Sequence, residues 1–168
     1  MILAVDVHYH ADHSATAAGL LFQSWDSGEA VDELVLEIEE VAQYVPGSFY
    51  LRELPCIRQL LAVVKSPYDC IVIDGYVFLG KEQRPGLGMH LWDSLDRKVP
   101  VIGVAKSRFS DTPEEAKLFR GSSRRPLYVT SVGVPLAEAK EQLRSMKGVY
   151  RIPDLLKRVD QLCRSGNG

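Results

Sequence analysis

The chain has 168 residues, 46% of them hydrophobic, and a formal net charge of −2. This length and composition predict one globular domain, residues 1–168, and argue against a disordered or fibrous chain. No apolar stretch approaches the ~18 residues of a membrane span and no basic-then-apolar leader opens the chain, so we expect a cytoplasmic protein whose net charge gives no general attraction to nucleic acid.

The first half of the chain predicts a strand meander followed by a helix. Ile2–His8 and Ala17–Gln23 are apolar runs on either side of a polar segment, which is typical of two strands joined by a short loop. Val31–Glu39 alternates between apolar and charged residues, as in a strand with one solvated face. Apolar residues at three- and four-residue spacing then predict an amphipathic helix over 51–64, with Pro55 in its first turns, where a missing amide is tolerated.

The second half alternates between strands and helices. Tyr68–Gly75 and Pro100–Ala105 are continuous apolar runs, typical of parallel strands that are buried on both faces, and a helix is expected between them around 88–96. A further strand and two helices are predicted at Leu127–Val132, Leu136–Met146 and Ile152–Cys163. A meander followed by this alternation predicts an α/β fold with a mixed sheet flanked by helices.

Cysteines and clustered cations give no separate functional signal. Three widely spaced cysteines fit reduced, buried thiols better than a disulfide or zinc framework. Basic residues gather in three places, each of which is read as solvated surface when taken alone: Lys106 with Arg108, the Arg120–Arg125 stretch, and Arg151 with Lys157 and Arg158.

Four acids stand where a carboxylate needs an explanation: Asp6 inside the first strand, Glu53 early in the first helix, Asp74 at the end of a buried strand, and Asp160 on the last helix. An unpaired ionised carboxylate costs several kcal/mol to bury. Since sites in open sheets gather at the carboxyl ends of parallel strands, Asp6 and Asp74 on neighbouring strands could share a hard divalent ion such as Mg²⁺. Taken singly, each acid has a structural reading, as a turn, a helix-terminus charge or plain surface.

A second metal hypothesis involves the histidines near the N-terminus. His8 and His10 would point to one face of a strand, and together with Asp12 and His13 they could form a transition-metal site. Exposed, clustered histidines are common without a metal, so this remains the weaker alternative.

Several motifs together resemble the endonuclease V family. The resemblance runs from Val5 to Asp160, in the family's order and approximate spacing. The motifs are DVHY, AAGLL, YVPGSFYLRE, IDGY, RPGLGMHL, VPVIGVAKS and GVYRIPD.

The resemblance implies an RNase H-like fold and a Mg²⁺-dependent endonuclease, with Mn²⁺ as a substitute ion. Its partner would be DNA or RNA containing hypoxanthine, the deaminated form of adenine, cut on the 3′ side of the lesion and one nucleotide removed from it. By position, Asp6, Glu53 and Asp74 match the metal-binding carboxylates, Asp160 matches a fourth site position, and Lys106 matches the active-site lysine. The implied nucleic-acid contacts are Tyr9, Tyr44, Val45, Pro46, Gly47, Gly75, Arg84 and His90, of which Tyr44 to Gly47 form the loop that wedges into the duplex.

The sequence also departs from the family pattern. From the family pattern we expect that a segment which usually precedes the first catalytic strand is missing. VFLGKEQRP replaces a His-Pro-Arg region after IDGY, and TSVGVP replaces a segment that often carries Gly-His-Arg. The regions that VFLGKEQRP and TSVGVP occupy are expected to line the pocket for the altered base. The alternative function is therefore a non-catalytic or altered-specificity nucleic-acid-binding relative.

Overall fold

The computed structural model describes residues 1–48 and 50–165. Its strands are β1 (Ile2–Tyr9), β2 (Ala15–Phe22), β3 (Asp32–Ile38), β4 (Cys70–Asp74), β5 (Phe78–Leu79), β6 (Arg84–Pro85), β7 (Val101–Ala105), β8 (Lys117–Leu118) and β9 (Leu127–Val132). Its helices are α1 (Tyr50–Val63), α2 (Leu87–Ser94), α3 (Leu136–Ser145) and α4 (Asp154–Ser165), with a short 3-10 helix at Glu114–Ala116. No helix in the described ranges is long and apolar enough to cross a bilayer.

A seven-stranded mixed sheet organises the fold, in the order β3-β2-β1-β4-β7-β9-β8. The first three strands form the predicted antiparallel meander, and β1, β4 and β7 run parallel. This confirms the predicted RNase H-like mixed sheet flanked by helices. One detail differs, because β9 runs antiparallel to β7 rather than continuing the parallel set.

The two faces of the sheet carry separate cores. Side chains alternate between faces along a strand, so Ala4 and Val72 pack with residues of α3 and α4, whereas Leu3 and Ile71 pack with residues of α1 and α2. Strands β1, β4 and β7 are therefore apolar on both sides, which explains their continuous hydrophobic runs.

A buried arginine fixes the connection between α3 and α4. The side chain of Arg120 is 6% exposed, and its guanidinium donates to the carbonyl oxygens of Met146, Gly148, Tyr150 and Arg151 at 2.7–3.2 Å. These bonds satisfy carbonyl groups that no regular element pairs, and they set the point from which α4 starts.

Short elements escape the sequence prediction. The β5–β6 hairpin, the short strand β8 and the 3-10 helix have too few residues to show a period. Pro55 lies inside α1 beyond its first turn, because the helix already begins at Tyr50.

Candidate active site

Three of the predicted site residues share one face of the sheet at the carboxyl ends of the parallel strands. Because side chains alternate between the two faces of a strand, Asp6 lies on the same face of the sheet as Ala4, and Asp74 on the same face as Val72. Lys106, directly after β7, lies on the same face as Val104. Because β1 and β4 pair in parallel, with Val5 opposite Ile73, the two aspartates lie on adjacent strands. Asp6, Asp74 and Lys106 line one common pocket below α4.

Asp6 is the most buried of the acids, at 8% exposed. Its Oδ1 accepts a hydrogen bond of 2.9 Å from the backbone N–H of Val7. Burial raises the pKa of Asp6 to about 7, the carboxylate of Asp74 adds to this effect, and the Val7 hydrogen bond opposes it. A carboxylate in this position is poorly stabilised by the protein alone.

Glu53 reaches the same region from the first turn of α1, on the other side of the sheet. Burial raises the pKa of Glu53 to about 8, and the carboxylates of Asp6 and Asp74 contribute to the rise. The acid of the helix and the two acids of the strands therefore act on one another electrostatically.

Asp74 ends β4 and is more accessible, with its side chain 40% exposed. Its Oδ2 lies 3.5 Å from Nζ of Lys106. Desolvation by the surrounding protein raises the pKa of Asp74, and Lys106 acts in the opposite direction. Lys106 thus neutralises part of the negative charge in the cleft.

Asp160 approaches from α4. One carboxylate oxygen each from Asp6 and Asp160 and the sulfur of Cys163 lie within 4.8 Å of one another, whereas Glu53 and Asp74 lie outside this group. Burial works against ionisation of Asp160, but the guanidinium of Arg164, which donates to Oδ1 at 2.9 Å, and Lys106 hold its pKa below the usual value.

The turn after β4 packs directly against β7 at Gly103, where there is no room for a side chain. Gly75 has φ of 140°, a conformation that favours glycine, and its N–H donates to the carbonyl of Val104 at 3.2 Å. A Cβ at Gly103 would lie 2.5 Å from the carbonyl oxygen of Gly75 and 2.8 Å from Oγ1 of Thr130. Thr130 Oγ1 in turn accepts the N–H of Val77 at 2.8 Å. The missing side chain at position 103 lets this turn lie directly on the sheet.

The predicted wedge loop projects from the protein. Tyr44 is 57% exposed and Val45 is 45% exposed. Pro46 and Gly47 are also exposed, and Gly47 has φ of 79° in a turn that closes with a bond from Ser48 N–H to the Val45 carbonyl. Two apolar side chains are thus held in solvent by a defined turn.

The other predicted nucleic-acid contacts have partners within the protein. The guanidinium of Arg52 covers the Tyr9 ring at 3.5 Å from its centroid, and the buried Tyr9 hydroxyl has no hydrogen-bond partner within residues 1–48 and 50–165. His90 stacks on Tyr50 with ring centroids 3.7 Å apart and an interplanar angle of 12°. Arg84 is exposed on β6.

The histidine cluster stays outside the acidic site. His8 and His10 contact edge to face at 5.1 Å, and Nε2 of His10 lies 2.8 Å from Oγ1 of Thr16. Asp12 accepts two hydrogen bonds from Ser14. In the parts of the chain that the structure describes, these residues do not form a set of three ligand atoms within 4.8 Å.

Sequence reasoning missed the neighbours of the acids. Cys163 and Arg164 lie three and four residues after Asp160 and therefore on the same side of α4, a spacing that marks them as partners once Asp160 is chosen. Arg52 directly precedes Glu53 and could also have been noted. All three cysteines are free and buried, as expected.

Comparison with known proteins agrees with the motifs. A family model described as Endonuclease V matches residues 1–152. Endonuclease V of Streptomyces avermitilis is 30% identical over 184 residues, which cover 97% of this chain and 79% of the relative. The crystal structure of an Endonuclease V from the same organism has a TM-score of 0.75 at 29% identity and covers 98% of this chain and 79% of that chain.

A structure of Ciona intestinalis Endonuclease V, in complex with a 23mer DNA that contains an inosine, has a TM-score of 0.81 at 17% identity. It covers 98% of this chain and 83% of that chain, and at this identity the likeness concerns the fold. With the family match over most of its length and the relatives above, this chain belongs to the Endonuclease V family, a family of nucleic-acid endonucleases.

Proposed function

We propose that this protein is a Mg²⁺-dependent endonuclease that cuts a nucleic-acid strand next to a deaminated base, with hypoxanthine as the base recognised. The observation that carries the proposal is the convergence of four acids from four elements, with Asp6 and Asp74 in one pocket and one carboxylate oxygen each of Asp6 and Asp160 within 4.8 Å of the other. The negative charges of Asp74 and Asp160 both raise the pKa of Asp6, in addition to the larger effect of burial. Those of Asp6 and Asp74 raise the pKa of Glu53 in the same way. A fold gains no stability from placing like charges together in a desolvated cleft, so their arrangement is best explained by a bound cation.

The donor set fits a hard divalent ion. Asp6, Glu53, Asp74 and Asp160 offer carboxylate oxygens, which are the ligands that Mg²⁺ and Mn²⁺ prefer. Burial, and to a lesser degree the neighbouring carboxylates, raises the pKa values of Asp6 and Glu53, and a bound cation would favour their ionised forms. When bound, such an ion supplies Lewis-acid activation of water and neutralisation of charge on the phosphate and the leaving oxygen.

Lys106 complements the acids. Its ammonium group lies 3.5 Å from Asp74 Oδ2 and is one-third exposed, so it can shift toward a phosphate oxygen at the mouth of the cleft. There it would stabilise the negative charge that develops as the phosphodiester bond breaks. The ion pair with Asp74 orients the lysine until substrate binds.

The exposed loop suits recognition of an extruded base. Tyr44 and Val45 stand in solvent on a turn that precedes α1, the helix that carries Glu53. An apolar wedge of this kind can fill the space left by a base that has turned out of the stack, which offsets a few kcal/mol of unstacking. That a Ciona relative was crystallised with inosine-containing DNA supports the same base for this chain.

The decisive experiment is a nicking assay on a single- or double-stranded oligonucleotide with one hypoxanthine, in Mg²⁺ and in Mn²⁺. Wild-type protein should cut once, near the lesion, and leave the same strand with adenine intact. Asp74→Asn should abolish cutting, because it removes a carboxylate ligand while keeping the size of the side chain.

Asp69→Asn is the matched control. Asp69 is an exposed aspartate directly before β4, at the end of the strand opposite to Asp74, where it accepts a hydrogen bond from the N-terminal ammonium group. It should cut like wild type. Equal cutting by wild type and Asp74→Asn would refute the assignment, and salt-dependent binding of the lesion without any cutting would favour a non-catalytic binding protein.

A further inference from the structure

Negative charge is concentrated in the first part of the chain. Residues 1–51 contain nine aspartates and glutamates and no lysine or arginine, so all 20 lysines and arginines lie from Arg52 onward. Seven of these nine acids fall within residues 26–40, a segment that contains β3 and the loop before it. This part of the surface therefore repels nucleic acid and attracts a basic partner.

Strand β3 lies at one edge of the seven-stranded sheet. All seven of its residues, Asp32–Ile38, are in register with β2, and within residues 1–48 and 50–165 no second strand pairs with its outer edge. A strand directs the N–H and C=O of alternate residues to each side, so this edge presents a row of free donors and acceptors. The strand at the opposite edge, β8, has only two residues and offers far less.

The two faces of β3 would present different chemistry to an added strand. Leu34 and Leu36 pack with residues of α1 and are only half-buried, so their outer flanks can still be covered by apolar side chains. Val35 packs on the opposite face, toward α4, and alternation places Glu33 and Glu37 on that face with it. Matching neighbours on an added strand would be apolar on the first face and basic on the second.

A groove continues this edge at the start of β3. It lies between residues 28–33 and α4 and has a volume of about 790 Å³. Val31 is 59% exposed and provides an apolar wall. The charged residues that line the groove are four acids and one arginine: Glu29, Asp32, Glu33, Asp154 and Arg158. Because Arg158 is paired to Glu33, the groove keeps a negative charge and can receive a lysine or arginine whose aliphatic stem packs on Val31.

A second copy of this chain is a poor occupant of the edge. If two β3 strands paired antiparallel about Val35, Glu33 of each copy would face Glu37 of the other. Like charges directly opposite each other destabilise a strand pair. A partner with lysine or arginine at these positions turns the same repulsion into attraction.

The geometry points to β3 as a docking edge for an extended, basic segment of a partner protein, which adds to the sheet as a further strand. In this segment apolar residues alternate with lysine or arginine. The apolar side chains cover Leu34 and Leu36, and the basic ones meet Glu33 and Glu37. Docking leaves the acidic cleft open, because Asp6 lies on β1, with β2 between it and β3.

The test uses a fluorescein-labelled peptide of about nine alternating lysines and valines, long enough to span β3. It should bind the full chain saturably in fluorescence anisotropy. The same peptide N-methylated on its backbone keeps its charges but cannot donate hydrogen bonds, and it should bind at least about tenfold more weakly. No saturable binding of the unmodified peptide below about 1 mM, or equal binding of both peptides, would overturn the inference.

The double variant Glu33→Gln with Glu37→Gln tests the charge. It should weaken peptide binding about two- to thirtyfold, as expected for the loss of two cross-strand ion pairs. Gln keeps an acceptor for Arg158 and for the Thr16 hydroxyl, so the fold should not change. An unchanged Kd would overturn the inference.

The matched control removes the same number of charges from α3, by Glu138→Gln with Glu141→Gln. Both glutamates are exposed, and Glu141 pairs with an arginine as Glu33 does. The control should bind the peptide like wild type. A loss equal to that of the β3 variant would show attraction by net charge alone and would overturn the assignment to β3.

Hydrogen–deuterium exchange locates the contact. Peptide binding should slow exchange of amides within 32–38, because those on the outer edge become hydrogen-bonded. Unchanged exchange in β3 would overturn the inference. So would a dimer in sedimentation that protects the same amides without peptide, since a second copy would then occupy the edge.

Discussion

Replacing Asp6 by Asn should stabilise the metal-free protein at high pH. The usual pKa of an aspartate is 3.8, and burial raises that of folded Asp6 to about 7. Between these pH values the folded state holds a proton that the unfolded chain has lost, so the free energy of unfolding falls as the pH rises and stays low above about pH 7. Asn is neutral throughout and keeps an acceptor for the Val7 N–H.

The difference between 3.8 and about 7 corresponds to about 4 kcal/mol, at about 1.36 kcal/mol for each pH unit. Because Asp6 is only 8% exposed, little of this is screened by solvent. We expect Asp6→Asn to exceed wild type in free energy of unfolding by up to about 4 kcal/mol at about pH 8, and by much less at about pH 4. Urea titrations in EDTA measure both values.

Adding Mg²⁺ should reverse the order. A cation bound by the folded state stabilises it by mass action, and the variant lacks one of the proposed ligands, so wild type should gain more at about pH 8. A wild-type stability that does not fall between pH 4 and pH 8 in EDTA, or an Asp6→Asn profile parallel to that of wild type, would refute this account of the cleft.

Three further variants test separate parts of the structure. Lys106→Met should lower the single-turnover rate constant of cutting by about 10²- to 10³-fold. Its Tm should change little, because the partly exposed ion pair with Asp74 adds little stability. An unchanged rate constant would exclude the role proposed for the lysine. Tyr44→Ala should slow cutting of duplex substrate more than of single strands and leave urea stability intact, since the ring is 57% exposed; equal rates on both substrates would argue against a wedge. Arg120→Leu should cost about 2–4 kcal/mol in urea, because it leaves four carbonyl groups without their donor; a loss below about 1 kcal/mol would show that water replaces the guanidinium.

Long elements with a clear period could be predicted from the sequence. The strands at Ile2–His8 and Leu127–Val132 and the helix over 51–64 were placed to within one or two residues, because burial on defined faces leaves a regular apolar pattern. The direction of β9 could not be predicted, since a buried parallel strand and a buried antiparallel one have the same pattern. Its pairing with β8 depends on a strand of two residues that carries no pattern at all.

The acids of the candidate site could be selected from the sequence, whereas the residues that surround them could not. Asp6 interrupts one apolar strand and Asp74 ends another, and alternation alone puts Asp74 on the same side as Val72. Glu53 and Asp160 were noted by position, but only the family motifs assigned them to the site, because acids on helices are usually solvated. The ion pair between Lys106 and Asp74 joins residues whose proximity depends on the pairing of β4 with β7.

The bare backbone at Gly103 has a consequence for protein engineering. Even an alanine there would collide with the peptide of Gly75 and the hydroxyl of Thr130, and the strain would be transmitted to Asp74, the preceding residue. Substitutions at position 103 should therefore reduce the cutting activity more than they lower the melting temperature. Libraries built to improve this protein have reason to keep that one codon fixed while they vary the larger residues around it.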